Sequence, residues 1–270
     1  MQGTITHYLN AQIPIAEARE QWSPAGIYLN TASYGLPPRA GWDALQSALD
    51  DWRGGRTSWE HWGEATEGAR SAFARLVGAD AADVTVGATV SGMVGLVAAS
   101  LPAGSRVVLP DIEFTSTLFP FLVQEQLGRC SVRLVPADKI ADAIDGNTDV
   151  VAFSAVQMSD GELADLDGIA AAAQAHGVTT IVDATQAVGW LPLDATRFDA
   201  VACAAYKWLM SPRGTAFMYI RRGLLGDVVP VTAGWYGGAD VHASYFGPPL
   251  RLAERARRLD TSPAWFSWVG

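Results

Sequence analysis

Short apolar runs and amphipathic segments alternate along the chain from about residue 70 to residue 220. Runs rich in β-branched residues predict strands, and apolar residues at helical spacing predict helices between them. The predicted strands lie at 84–86, 106–109, 132–135, 150–154, 179–182, 200–204 and 216–220. The predicted helices lie at 91–100, 115–126, 139–144 and 164–176, and Gly177 is the stop signal of the last. This alternation predicts an α/β fold, a three-layer sandwich with helices on both faces of a mainly parallel central sheet.

The first 70 residues follow a different pattern, with five tryptophans and helical spacing at 40–52 and again after Ser58. They predict an N-terminal helical arm over residues 1–70, packed on a large domain at residues 71–250. The aromatic residues of the arm are expected to serve packing. Residues 251–258 are basic and predict a short helix or turn, and the chain then stops in an apolar segment at residues 266–270.

Composition and charge narrow the class of protein. A chain of 270 residues with 49% hydrophobic content can bury a substantial core. The net charge of -9 argues against nucleic acid or an anionic membrane as a partner. The N-terminus lacks a signal-peptide pattern, and no apolar run reaches the roughly 18 residues of a membrane span. The four scattered histidines and the two distant cysteines predict no metal site, and we expect a cytoplasmic protein.

Lys207 is the residue with the clearest chemical signal. It is one of two lysines in a chain with seventeen arginines, and it follows an apolar run that would bury its amine. Arginine stays protonated in proteins, whereas a desolvated lysine can act as an amine nucleophile. Asp183, 24 positions upstream, ends another apolar strand. A buried amine and a buried acid at neighbouring strand ends suggest a site for pyridoxal 5′-phosphate. The alternative is a strand lysine that extends its amine to the surface.

Two further segments suit such a cofactor. The segment at 87–92 follows a strand and opens a helix, so the N–H groups of Val90 and Ser91 and the Ser91 hydroxyl could bind phosphate. Small residues at this position also suit a tight turn without a ligand. Phe114 follows the next strand and is placed to stack on an aromatic ring, although a core phenylalanine is the alternative interpretation.

Taken in order, these segments resemble the class V aminotransferase family of fold-type I pyridoxal-phosphate enzymes. That family includes cysteine desulfurases, isopenicillin-epimerase-like proteins and kynureninases. The resemblance runs from about Ile27 to the last residue. The matching segments are 28–32, 87–95, 113–116, 154–157, 182–186 with Gly189, and 206–209 with 212–214. The acid-x-x-Gln segment and the Lys-Trp-Leu segment, at their separation here, are the most specific.

The resemblance implies roles for individual residues. Lys207 would form the Schiff base with the cofactor, Asp183 would pair with the ring nitrogen, and Gln186 would bind the ring hydroxyl. Ser91 would bind phosphate, Phe114 would stack, and Ser262 would reach the phosphate of a neighbouring subunit, which implies a homodimer. The other cofactor-binding candidates are Val90, Gln157 and Tyr206, and the substrate-binding candidates are Asn30, Thr31 and Arg213.

The sequence departs from the family pattern in three places. Ala204 and Tyr206 stand where the family often has Ser and His, and Gly92 stands at an acidic position. Residues 251–270 match only the start of the family's small C-terminal domain, which usually carries the carboxylate-binding arginine and, in desulfurases, the catalytic cysteine. The arginine could be replaced by Arg213, or by one of Arg251, Arg255, Arg257 and Arg258. Neither Cys130 nor Cys203 lies in a loop suited to persulfide chemistry.

The resemblance therefore predicts a pyridoxal-phosphate enzyme that acts at Cα of an amino-acid substrate. Transamination, elimination, desulfuration and epimerisation share their first steps, and the sequence does not separate them. The alternative is a truncated member of the family that keeps the fold without catalysing a reaction.

Overall fold

Seven strands form one sheet in the part of the chain that the computed structural model describes, residues 13–262. In chain order they are β1 (Val84–Gly87), β2 (Ser105–Pro110), β3 (Cys130–Val135), β4 (Val150–Ser154), β5 (Thr179–Asp183), β6 (Ala200–Ala204) and β7 (Ala216–Ile220). Their order across the sheet is β1-β7-β6-β5-β4-β2-β3.

The sheet is mainly parallel, as predicted. Strands β3, β2, β4, β5 and β6 run parallel to one another, whereas β7 is antiparallel to both β6 and β1. In the register of the sheet Ser154 is the partner of Asp183, and Asp183 is the partner of Ala202. The carboxyl ends of three central strands therefore meet at one edge, where ligands bind in open sheets of this type.

Helices cover both faces of the sheet. They are α1 (Ile15–Arg19), α2 (Arg39–Arg53), α3 (Trp59–Leu76), α4 (Val90–Ala99), α5 (Thr115–Gln126), α6 (Ile140–Ala143), α7 (Leu166–His176) and α8 (Arg222–Asp227). Alternate strand residues contribute to two apolar clusters. One contains Phe73 of α3 and Ile169 of α7, and the other contains Val94 of α4 and Phe121 of α5. The predicted three-layer sandwich is thus confirmed.

Most predicted elements lie close to their predicted positions. The helix predicted to begin at residue 164 begins at Leu166, because the carboxylate of Asp165 accepts the N–H of Gly168 and caps the helix there. Gly177 ends it in the left-handed conformation, at φ 66°. The helix predicted at 139–144 was too long, since only Ile140–Ala143 is α-helical after a 3₁₀ turn at Ala137–Lys139. The division of the chain at residues 70 and 250 stays a prediction.

A buried ion pair joins α3 to the segment that follows the sheet. The guanidinium of Arg70 lies 2.5 Å from the Asp260 carboxylate and donates to the carbonyl of Val84 at 2.6 Å. Asp260 also accepts the Thr85 hydroxyl at 2.7 Å and the N–H of Val86 at 3.0 Å. This cluster fixes Asp260 and the 3₁₀ turn before it, Ala256–Leu259, against β1. Within residues 13–262, no helix is long and apolar enough to cross a membrane.

Candidate active site

A cavity of about 530 Å³ opens at the carboxyl ends of β4, β5 and β6. Its volume lies within the range of roughly 300–1,000 Å³ that is typical of small-molecule sites. The lining residues are Ala88, Thr89, Val90, Ser91, Phe114, Ser116, Ser154, Met158, Asp183, Thr185, Gln186, Ala204, Tyr206, Lys207, Arg213 and Gly214. The structure therefore brings together Val90, Ser91, Phe114, Asp183, Gln186, Tyr206, Lys207 and Arg213 of the predicted set.

Lys207 lies on a tightly packed loop after β6. The N–H of Gly35 donates to the carbonyl of Tyr206 at 2.8 Å, and a Cβ on Gly35 would lie 2.1 Å from the carbonyl oxygen of Lys207. Gly189, at φ +114°, packs against the main chain of Trp208 in the same way, where a Cβ would lie 2.9 Å from the oxygen. Two glycines from distant segments thus allow the close approach that holds the lysine loop in place.

The side chain of Lys207 is 4% exposed, so the alternative of a lysine extended to the surface is wrong. Its Nζ lies 3.7 Å from the sulfur of Met158 and 5.6 Å from the centre of the Phe114 ring. Among residues 13–262, no carboxylate oxygen lies within 4.0 Å of this amine, the limit for an ion pair. Lys139, by contrast, pairs with Asp138 and Asp142. Burial lowers the pKa of Lys207, which favours the unprotonated amine.

Asp183 is buried at the floor of the cavity. Its Oδ1 accepts the N–H of Thr185 at 2.9 Å, and its Oδ2 accepts the hydroxyl of Thr117 at 3.2 Å. Burial raises the pKa of Asp183, while the hydrogen bonds from Thr185 and Thr117 and the charge of Lys207 oppose this rise. A buried carboxylate in this position is suited to bind a cationic group of a ligand.

Phe114 forms part of the cavity wall, and a second buried acid fixes it there. Phe114 is 37% exposed at the cavity, so the alternative of a core phenylalanine is wrong. The Glu113 carboxylate accepts the N–H of Phe114 at 2.9 Å, the N–H of Ser154 at 2.7 Å and the Ser154 hydroxyl. Burial raises the pKa of Glu113, and the hydrogen bonds from Ser154 and Gln157 oppose this. Glu113 thus joins the loop after β2 to the end of β4.

Gln157 is buried in contact with Glu113 and does not line the cavity. Its Nε2 donates to the Glu113 carboxylate at 3.1 Å. Its Oε1 is buried without a hydrogen-bond partner among the described residues. The geometry therefore places Gln157 one layer behind the wall that Ser154 and Phe114 form, where it supports Glu113.

The N-terminus of α4 forms another side of the cavity. Thr89 is the N-cap, and its hydroxyl accepts the N–H of Gly92 at 3.2 Å. The Ser91 hydroxyl lies 3.5 Å from that of Thr89. Uncommitted N–H groups and hydroxyls at a helix start suit an anionic group. Val90 and Ser91 were predicted here from the sequence, and Thr89 was not, although a threonine before an apolar helix is a recognised capping signal.

The side-chain amide of Gln186 is held by two segments. Its Oε1 accepts the indole N–H of Trp208 at 2.8 Å, and its Nε2 donates to the carbonyl of Ala32 at 3.0 Å. The indole of Trp190 also donates to Gln186, but to its main-chain carbonyl, at 2.6 Å. The N-terminal segment thus contacts the site through the main chain of Ala32.

Arg213 is the candidate arginine that reaches the cavity. Its Nη1 donates to the hydroxyl of Tyr34 at 2.7 Å, and its guanidinium carbon lies 4.8 Å from the centre of the Tyr206 ring. Arg255 and Arg257 make contacts elsewhere, with Asp83 and with main-chain carbonyls of the segment 236–239. Neither these two nor Arg251 and Arg258 line the cavity.

Besides Gln157, three predicted residues do not line the cavity. Asn30 and Ser262 are exposed, and Thr31 is half-buried. Cys203 is buried in β6, and Cys130 is half-buried at the start of β3. Burial raises the pKa of both thiols. No cluster of candidate metal ligands occurs among residues 13–262.

Comparisons with known proteins agree with this geometry. A family model described as "Aminotransferase class-V" matches residues 27–270. Kynureninase from Deinococcus radiodurans is 31% identical over 253 residues, which cover 86% of this chain and 61% of that protein. The uncharacterized aminotransferase YcbU from Bacillus subtilis is 29% identical over 233 residues, or 83% of this chain and 61% of YcbU. The chain thus spans about three fifths of the length of these relatives.

Solved structures show the same fold. The cysteine desulfurase CsdA from Escherichia coli superposes with a TM-score of 0.81 at 20% identity, covering 96% of this chain and 70% of CsdA. The apo cysteine desulfurase from Thermococcus onnurineus gives a TM-score of 0.76 at 19% identity, covering 90% of this chain and 64% of that one. At these identities the likeness concerns the fold.

Proposed function

Because the chain belongs to the class V aminotransferase family, we propose that it binds pyridoxal phosphate and acts at Cα of an amino-acid substrate. The observation that carries the proposal is Lys207, a buried amine that has no ion-pair partner among residues 13–262 and faces a cavity of ligand size. An unpaired buried ammonium is costly, so a lysine with a purely structural role would be expected to have an acidic partner.

The residues present fit this cofactor. The N-terminus of α4, with the hydroxyls of Thr89 and Ser91, suits a phosphate. Asp183 is a buried acid suited to a protonated ring nitrogen, and the Phe114 ring supplies an aromatic face at the cavity wall. Gln186 presents an amide to the same cavity. Residues suited to the phosphate, the ring nitrogen and the ring face thus support the proposal.

When bound, pyridoxal phosphate accepts the electron pair released at Cα of an amino acid. The residues of this chain would supply the remaining parts of the reaction. The unprotonated Nζ of Lys207 would attach the cofactor and then, once displaced by the substrate amine, move the Cα proton. The Asp183 carboxylate would hold a proton on the ring nitrogen. Arg213 is the cation at the cavity best placed for the substrate carboxylate.

Members of the family catalyse several different reactions on amino acids. The similar proteins include kynureninases, an isopenicillin N epimerase and a probable cysteine desulfurase. Desulfuration that uses Cys130 or Cys203 is disfavoured, since burial raises the pKa of both thiols and neither lines the cavity. Membership of a family of pyridoxal-phosphate enzymes disfavours a non-catalytic protein.

Exchange of the Cα proton tests the proposal without assuming a final product. Protein loaded with pyridoxal phosphate should exchange the Cα proton of at least one amino acid with deuterium in heavy water, as measured by proton NMR over a panel of amino acids. The Asp183→Asn variant should still bind the cofactor, but the exchange rate should fall by about 10²-fold or more, because an amide cannot keep the ring nitrogen protonated. An unchanged rate in Asp183→Asn would remove this residue from its proposed role.

We also propose that the protein forms a homodimer. Ser262 is exposed and lies outside the cavity of its own chain, and a two-fold axis could bring it to the partner's site. The aromatic segment 234–238 gives no support, because Trp235 packs against Trp59 and Tyr245 of the same chain and Tyr236 is buried. Sedimentation velocity of the cofactor-loaded protein should show a dimer. A monomer that retains full cofactor affinity would contradict the proposal.

A further inference from the structure

We propose that Trp208 is a positioning residue, whose indole N–H fixes the side-chain amide of Gln186 so that an amide N–H faces the cavity. The proposal rests on the proposed function, because the group that would accept the amide N–H is the bound cofactor. It concerns a residue that follows Lys207 directly and does not itself line the cavity.

The two partners of the Gln186 amide permit only one orientation. An indole N–H is a donor only, so the amide atom that faces Trp208 at 2.8 Å must be the oxygen. A main-chain carbonyl is an acceptor only, so the atom that faces Ala32 at 3.0 Å must be the nitrogen. In the flipped orientation an N–H would face an N–H and an oxygen would face an oxygen. Both contacts therefore select the same orientation independently.

The orientation determines what the cavity offers to a ligand. The amide nitrogen carries two hydrogens, and only the one directed at Ala32 has an acceptor among the described residues. Gln186 lines the cavity, so its second N–H is available to an oxygen of a bound molecule. A donor at this position stabilises the deprotonated form of a phenolic oxygen and lowers its pKa. If the cofactor ring binds with its hydroxyl at Gln186, this donor would favour the phenolate form.

Trp190 provides a matched control for Trp208. The two indole rings are neighbours, 6.1 Å apart, and each donates its N–H to Gln186. Trp190 donates to the main-chain carbonyl, which cannot flip, whereas Trp208 donates to the side chain. Replacing either residue with phenylalanine keeps an aromatic ring and removes one N–H. Trp190→Phe thus removes a hydrogen bond to Gln186 and leaves the side-chain amide oriented, whereas Trp208→Phe removes the bond that orients the amide.

The test measures cofactor binding by equilibrium dialysis and the pH dependence of the visible absorbance of the bound cofactor. In Trp208→Phe, the dissociation constant should rise by about tenfold and the absorbance transition should move to higher pH. Trp190→Phe should leave the dissociation constant within about twofold. A response of Trp208→Phe no larger than that of Trp190→Phe overturns the inference.

A second variant keeps the test independent of how well Trp208→Phe folds. Gln186→Glu has oxygens only, so it should move the absorbance transition to higher pH with Trp208 in place. In a Gln186→Leu background, Trp208→Phe should have no further effect on the dissociation constant, since no amide remains to be oriented. An equal additional loss there would show that Trp208 acts by packing alone. If the unaltered protein binds no cofactor, the proposed function fails, and this inference fails with it.

Discussion

Lys207→Arg should abolish covalent attachment of pyridoxal phosphate, whereas Lys139→Arg should leave it unchanged. Arginine keeps the positive charge but offers no free amine, so the cofactor has no group to bond with. Lys139 is the other lysine of the chain and a matched control, because it is exposed and pairs with Asp138 and Asp142. Borohydride reduction of the loaded protein, followed by mass spectrometry of its peptides, should locate the cofactor on Lys207 in the unaltered chain.

Lys207→Arg is expected to lose covalent attachment completely. Non-covalent binding through the phosphate and ring contacts should persist at reduced affinity, but no mass increase should remain after reduction and denaturation. A label on Lys139, or an unchanged label in Lys207→Arg, would contradict the assignment of Lys207 as the reactive amine.

The pH at which Lys207 reacts should also be shifted. Burial lowers the pKa of Lys207 from the ordinary lysine value of 10.5, so at a given pH a larger fraction of the amine is unprotonated. Since only the unprotonated amine is a nucleophile, the rate of attachment should level off at a lower pH than the rate for Nα-acetyl-lysine. Identical pH profiles for the two amines would show that the environment of Lys207 does not favour its neutral form.

The strands and helices could be predicted from the sequence because each is indicated by a short run of neighbouring residues. The apolar runs that form β4, β6 and β7 are buried along their whole length, so an uninterrupted run of apolar residues was enough to place each of them. Lys207 and Asp183 followed from the same reasoning, since each polar residue comes at or just after the end of a buried strand. The parallel order of those strands then determines that the two side chains meet at one edge.

Contacts between distant positions account for what was missed. Thr117 bonds to Asp183 from 66 positions away, and Ala32 bonds to Gln186 from 154 positions away. No periodic pattern records such pairings. Gln157 lies in a matching segment that indicated a cofactor contact, and its Nε2 donates to Glu113, 44 positions away. The cofactor contact itself stays a prediction. Glu113 lies in one of the matching segments, but its role in joining Phe114 to β4 depends on the position of Ser154 in the fold.

The buried pair of Arg70 and Asp260, 190 positions apart, is a contact of this long-range kind. Desolvation lowers the pKa of Arg70, but the charge of Asp260 and the contacts with Glu67 outweigh it and raise the pKa. Arg70 therefore stays charged. Removing Asp260 would leave the buried guanidinium of Arg70 with only the half-exposed Glu67 as an ion-pair partner among the described residues. It would also leave the N–H of Val86 without its acceptor.

Asp260→Ala should therefore lower the free energy of unfolding by about 3–5 kcal/mol, measured by urea titration. Asp50→Ala is the matched control, because it breaks the Arg53–Asp50 pair, whose side chains are 82% and 61% exposed, and should cost at most about 1 kcal/mol. The double variant Arg70→Met with Asp260→Leu should recover most of the loss, since it removes both buried charges together. If Asp260→Ala is as mild as Asp50→Ala, the segment 256–260 is not anchored by this ion pair, and packing of Ala256 and Leu259 must hold it against β1.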